Sequence, residues 1–276
     1  MSLLSQISNS TANRPGIRAV IAGNEKIGKT TLICGAPDVL LIPLEAGYGG
    51  VTVNHTPMIQ DYSSFVGLLT EITAAKQAGQ FNFRTLAIDS ATALERLIHD
   101  SVMAMDPTYK KGAQKTLSME SALGGYGRAY NVANERFTEI IAMLDILAVQ
   151  HKLNIIFTCH VFASEVVDPV VGRYDSWDLL LHSPKNQKTY GKREFMTQWA
   201  DLIGFMYEPV IISETNNVSI GISENRGRVM GVSRTPSYVA GNRFGMEGEI
   251  SIPKEQGWNY LAHAINQSCG IDVYKR

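Results

Sequence analysis

Apolar residues along this chain gather into four short, nearly unbroken runs, separated by longer stretches in which they recur at helical intervals. The runs are IRAVIAG from Ile17, VLLIPLE from Val39, FRTLAIDS from Phe83 and LNIIFTCH from Leu153. An apolar run of this length without polar alternation reads as a strand buried on both faces. Between the runs, Tyr62 to Gly79 places Phe65, Leu68, Leu69 and Ile72 on one side, and Asn131 to His151 does the same with Phe137, Ile140, Ile141, Leu144 and Leu147. Both patterns predict helices with one buried face. A third helix is predicted from Ala91 to about Met105, where Asp106 and Pro107 stop it.

Strands alternating with helices predict an α/β fold, with a mainly parallel central sheet, right-handed crossovers and helices on its flanks. Ligands bind such sheets at the carboxyl ends of the strands. The four runs end at Gly23, Glu45, Asp89 and His160, so these ends are expected to face one crevice. Residues 1–16, rich in Ser, Asn and Thr and closed by Pro15 and Gly16, read as a loosely held arm. The helical spacing of Leu3, Leu4 and Ile7 also allows a small docking element for a neighbouring subunit. Residues 17–276 read as one core domain without repeats or a linker.

Two stretches interrupt the pattern and are expected to be long and irregular. Residues 106–130 carry Lys110, Lys111, Lys115 and Arg128 with Tyr109, Tyr126 and Tyr130. Residues 161–195 carry Lys185, Lys188, Lys192 and Arg193 between His182 and Glu194, with no acidic residue among them. Loops this long in a compact domain are commonly functional, and both are candidate contact surfaces. The remainder reads as several short strands and a helix around Trp258 to Ile265.

The first strand leads into the strongest chemical signal. Gly23 to Thr30, GNEKIGKT, satisfies the phosphate-loop pattern GxxxxGK[ST], with a strand before it and a helical start at Thr31, Leu32 and Ile33 after it. Glycines let successive amides turn inward, and the helix N-terminus adds partial positive charge, so the loop suits a polyanion. Gly23, Asn24, Glu25, Lys26, Ile27, Gly28, Lys29, Thr30 and Thr31 are the candidate binding residues, with ATP and Mg²⁺ as the expected cofactors. Lys29 is expected on the β and γ phosphates, and Thr30 and Asp89 on the metal. Glu45 is placed to orient the attacking water or take its proton, and His160 to sense the γ phosphate. Plainer alternatives stand beside each: Asp89 as a cap of the next helix, Glu45 as a surface carboxylate, His160 as a satisfied structural residue.

Composition narrows the partners little. The chain has 276 residues, 45% of them hydrophobic, enough to bury a full core. A formal charge of -1 gives no global basic field, so any nucleic-acid contact has to come from a local patch. Cys34, Cys159 and Cys269 lie far apart without metal-ligand spacing, as expected in a reducing compartment. No apolar run approaches the ~18 residues of a membrane helix and the start lacks a signal-peptide pattern, so a cytoplasmic location without membrane partners is expected.

Taken in order and spacing, GNEKIGKTT, LLIPLEAG, TLAIDSATAL and NIIFTCHV resemble the core of RecA-like recombinase ATPases, most of all the short phage members that act as single-strand annealing proteins. The resemblance covers about Ile17 to Ile265. It implies a catalytic glutamate at Glu45, a γ-phosphate sensor at His160, and single-stranded DNA contacts on residues 106–130 and 161–195. The stretch VAGNRFGMEGEISI is similar to the segment that extends two lysines into a neighbour's ATP. Arg243 stands at one of those positions and Gly241 at the other, so at most one trans cation is carried over, with Arg226 and Arg228 as alternatives. The implied activity is DNA-stimulated ATP hydrolysis serving annealing or recombination. The implied partners are single-stranded DNA, further copies in a filament or ring, and a single-strand DNA-binding protein. The competing expectations are a nucleotide switch or loading factor without turnover and, more weakly, a small-molecule phosphotransferase, for which no arginine-rich lid can be placed.

Overall fold

The computed structural model describes residues 14–109, 117–184, 190–215, 218–224 and 227–274. Its elements run β1 (Arg18–Gly23), α1 (Lys29–Ile33), β2 (Val39–Pro43), β3 (Asn54–His55), α2 (Tyr62–Gln77), β4 (Thr85–Asp89) and α3 (Ala91–Met103). They continue with α4 (Arg128–Asp145), β5 (Asn154–Cys159), β6 (Val161–Asp168), β7 (Gly172–Leu179), α5 (Lys192–Trp199) and β8 (Leu202–Tyr207). The last part adds β9 (Val210–Thr215), β10 (Val218–Ser223), β11 (Val229–Gly231), β12 (Gly241–Asn242), β13 (Glu249–Ser251) and α6 (Gly257–Cys269).

The four apolar runs supply β1, β2, β4 and β5 of one sheet, in the order β13-β11-β8-β1-β5-β4-β2-β3, with β12 also paired to β8. From β8 to β3 every neighbour is parallel, and the antiparallel pairs of this sheet are β11 with β8, β12 with β8 and β13 with β11. Successive side chains of a strand point to opposite faces. In β1 that sends Val20 and Ala22 to one core and Ala19 and Ile21 to the other. The first core is closed by α2, α3 and α4 through Phe65, Leu69, Leu94, Ile98, Phe137 and Ile140. The second is closed by α1 and α6 through Leu32, Ile33, Trp258, Leu261 and Ile265. A sheet buried on both faces is why the strand sequences show runs rather than alternation.

The helices α2 and α3 each follow a polar residue in extended conformation: Asp61 accepts from the Ser64 amide at 2.9 Å, and Ser90 from the Ala93 amide at 3.1 Å. The Ser90 cap relieves Asp89 of that duty.

Two expectations change. The second irregular stretch is largely an antiparallel hairpin, β6 paired to β7 from Val161↔Leu179 to Asp168↔Gly172, followed by α5. Its faces alternate between half-buried and exposed along β6, the mark of a strand with one wet side. The first stretch is also shorter than its composition suggests, because α4 already begins at Arg128 behind Gly127 in a left-handed turn (φ 75).

Candidate nucleotide site

Parallel pairing sets the carboxyl ends of β1, β5, β4 and β2 side by side, and the sequence places a polar group at each end. The loop after β1 exposes Asn24, Glu25 and Lys26 and buries Lys29. Gly28, at φ 95, stands in the left-handed region that glycine enters without strain. Lys29 Nζ donates to the carbonyls of Gly23 and Asn24, both at 2.8 Å. Burial lowers its pKa, and Asp89, Cys159, Glu45 and Glu25 pull it back up.

Thr30 Oγ1 donates to Asp89 Oδ2 at 2.7 Å, and the buried Thr158 hydroxyl donates to Asp89 Oδ1. Asp89 is buried and both of its oxygens are engaged from neighbouring elements. The pair offers hard oxygen donors at the first turn of α1. Mg²⁺ favours such donors and keeps several waters, so it needs only one or two protein oxygens beside a substrate's phosphates. Among the described residues no group of three or more His, Cys, Asp or Glu is arranged to hold a metal without such help. The buried lysine, the glycine-bounded loop and the Thr30 and Asp89 oxygens together fit a magnesium nucleoside triphosphate.

Glu45 lies two residues beyond β2. His160 Nε2 is 3.0 Å from its Oε1, and Arg96 NH2 donates to its Oε2 at 2.9 Å. The His160 contact is the largest cause holding the Glu45 carboxyl down at about 2; burial opposes this, while Ser90 and Arg96 add to it. With Glu45 ionised the proton of this contact sits on Nε2, and His160 Nδ1 is buried with no partner among the described residues. The His160 amide donates to Thr92 Oγ1 at 3.2 Å, and Thr92 Oγ1 in turn donates to the Leu180 carbonyl at 3.3 Å. One residue of α3 thus touches both the end of β5 and the end of the β6–β7 hairpin.

The structure brings Lys29, Thr30, Asp89, Glu45 and His160 into this crevice. Arg243 stands elsewhere. It follows β12, which pairs with the amino end of β8, and its guanidinium is held by Asp201 Oδ1 at 2.8 Å and the Gln198 carbonyl at 2.6 Å. That is the rim opposite its own phosphate loop. Arg228, one of the trans alternatives, is buried against the phosphate loop of its own chain, where NH1 donates to the Ile27 carbonyl at 2.9 Å. Thr158, Ser90, Arg96 and Arg228 all take part without having been singled out for these contacts. The only sequence signal was that Thr158 and Ser90 flank strand ends already under suspicion.

Of the eight basic residues expected on contact loops, Lys110, Lys111, Lys115, Lys185 and Lys188 lie outside the described residues, as does Arg226. Arg128 is exposed at the first turn of α4. Arg193 is paired with Asp178 at 2.9 Å and Glu194 at 3.1 Å. Lys192 is a correction: it is fully buried, with Nζ 3.4 Å from Glu95 Oε1, beside His99 and His182. It faces the underside of α3 because α5 packs inward at that turn, so it offers no surface charge.

A β1–loop–α1 phosphate cradle with a strand-end aspartate on its threonine, set in a mostly parallel sheet, defines a P-loop nucleoside triphosphatase. The chain belongs to a family described as an AAA domain, whose profile matches residues 15–244. That family is generally ATPase, which agrees with a nucleotide-binding and hydrolysing site built on ATP and Mg²⁺. No curated protein matches the sequence. No helix among the described residues is long and apolar enough to cross a membrane.

Proposed function

We infer that this chain is a RecA-like ATPase of the kind encoded by phages, which assembles on single-stranded DNA in the host cytoplasm and promotes annealing or recombination. The observation that carries the reading is the single crevice into which Lys29, Thr30, Asp89, Glu45 and His160 converge from four adjacent strand ends. Thr30 and Asp89 would hold magnesium, which when bound would supply charge neutralisation for the phosphates. Lys29 supplies a second fixed cation, and Thr30 and Asp89 hold the metal's side of the site. Glu45, kept ionised by its partners, orients the attacking water more readily than it removes a proton, since a carboxyl near 2 is a poor base at neutral pH. His160, donating from Nε2 to Glu45, has a proton for which a bound γ phosphate would compete, and that exchange would report nucleotide state to β6 directly behind it.

For the DNA reading the support is position and chemistry. Tyr126 is 98% exposed beside Arg128 in the segment after α3, and the β6–β7 hairpin stands at the carboxyl end of β5. The hairpin itself is acidic, with Glu165, Asp168, Asp175 and Asp178 against Arg173, so phosphate contact belongs to the basic segment after it and to residues 106–130.

The test is ATP turnover with and without single-stranded DNA at low salt, beside Lys29→Ala and Glu45→Gln. Lys29→Ala is expected to lose nucleotide binding, and Glu45→Gln to keep binding while losing hydrolysis. A rate and an anisotropy signal both indifferent to DNA would remove the recombination reading. The engagement of both Glu45 oxygens favours one second reading, a nucleotide switch or loading factor. It predicts tight ATP binding with negligible turnover even when DNA is present.

A further inference from the structure

Arg228 is nearly inaccessible, yet it lies immediately before β11, 201 positions along the chain from the carbonyl it holds. Its backbone is fixed on two sides. The Arg228 carbonyl accepts from the Ile252 amide at 2.9 Å, and the next residue, Val229, pairs with both Tyr207 of β8 and Ser251 of β13. From that anchored base the guanidinium reaches the phosphate loop. NH1 donates to Ile27, and a Cβ placed on Gly28 would stand 1.9 Å from the same nitrogen. The loop therefore has glycine at Gly28 for two reasons, its positive φ and the arginine occupying the only space a side chain would need.

In a phosphate loop the backbone amides turn toward the anion; here the Gly23 and Asn24 carbonyls meet Lys29 Nζ, while the Ile27 carbonyl faces away from that lysine, toward Arg228. A cation that hydrogen-bonds an outward carbonyl braces the loop from behind. We propose that Arg228 is a positioning residue acting in cis: its guanidinium, seated on Gly28 and bonded to the Ile27 carbonyl, holds the phosphate loop of its own subunit in the conformation that receives nucleotide. Arg228 Nε is buried without a hydrogen-bond partner among the described residues, NH1 bonds the loop's carbonyl, and the Glu208 carboxylate supports the charge of the same guanidinium. Lysine keeps the charge but not the rigid fork, so the two side chains are not equivalent here.

This proposal rests on the nucleotide reading of the site. The experiment is calorimetric titration of ATP and ADP into wild type, Lys29→Ala, Arg228→Ala and Arg228→Lys, with melting curves on each and turnover where binding survives. Arg228→Ala is expected to bind both nucleotides about tenfold to a hundredfold more weakly, the worth of a hydrogen bond from a charged group. Arg228→Lys is expected to recover part of the loss, with KM for ATP moving more than kcat. Mixing Arg228→Ala with Lys29→Ala adds a direct check of cis against trans. A trans finger would be donated by the Lys29→Ala subunits and turnover would return, whereas the cis brace predicts no recovery. Wild-type affinity in Arg228→Ala, or recovered turnover in the mixture, overturns the proposal. If Arg228→Ala fails to fold, Arg228→Lys decides: unchanged affinity and KM overturn it equally. Wild type that binds no nucleotide would overturn the nucleotide reading itself, a different failure.

Discussion

Glu45 carries the sharpest residue-scale consequence, because both of its oxygens are occupied and its carboxyl sits near 2. A folded-state pKa below the unfolded value contributes stability that is present above about pH 4.5 and is lost as pH falls toward 2. The same depression means that Glu45 should not impose an acid limb on kcat above about pH 4. Removing the largest cause, with His160→Ala, is expected to raise the Glu45 pKa and shift the acid limb of the kcat profile upward. Arg96→Ala, at a more exposed contact, should shift it less. Stopped assays across pH 3 to pH 7 measure both. Residues at this scale were legible in sequence where a motif or a strand end named them, as for Lys29, Thr30 and Asp89. Arg228 and Arg96 were not, because neither stands near its partner in the chain and a lone arginine has no periodicity to betray its target.

At the scale of elements, hydrophobic pattern located the strands that are buried on both faces and the helices that cover them. Phe137 of α4 is fully buried against the sheet. Phe137→Ala should cost about 3–5 kcal/mol in urea unfolding, with little change in the KM of whatever fraction remains folded. The hairpin escaped the same reading because β6 and β7 lie outside the central sheet and are only half buried. Such strands alternate polar and apolar positions, and VFASEVVD shows the alternation faintly, broken by paired valines. Lys192 was misread for a related reason. A lysine in a polar, basic segment looks solvated, and only the folded chain, with α5 packed against α4, reveals that it faces Glu95 of α3.

For the whole molecule, a net charge of -1 means that attraction to a polyanion has to come from a few local cations. If DNA binds at the exposed start of α4, Arg128→Ala should weaken binding at all sequences and lower the salt slope of log affinity by about 1. Lys192→Ala should leave that slope alone and instead destabilise the fold by about 3–5 kcal/mol, the cost of stranding a buried partner. Fluorescence anisotropy across a salt series and a urea titration distinguish the two variants. Residues 1–13 of the expected N-terminal arm lie outside the described residues, and truncation from residue 1 to residue 16 tests that expectation.

Between His160 and β6 there is no intervening loop: the strand that ends at Cys159 resumes at Val161. Eight extended residues then carry the chain about 26 Å outward. His160 thus roots a hairpin that is pinned at Trp177 to the Ser237 carbonyl and the Val239 amide, so small rearrangements around a phosphate would load that seam before they reached the tip.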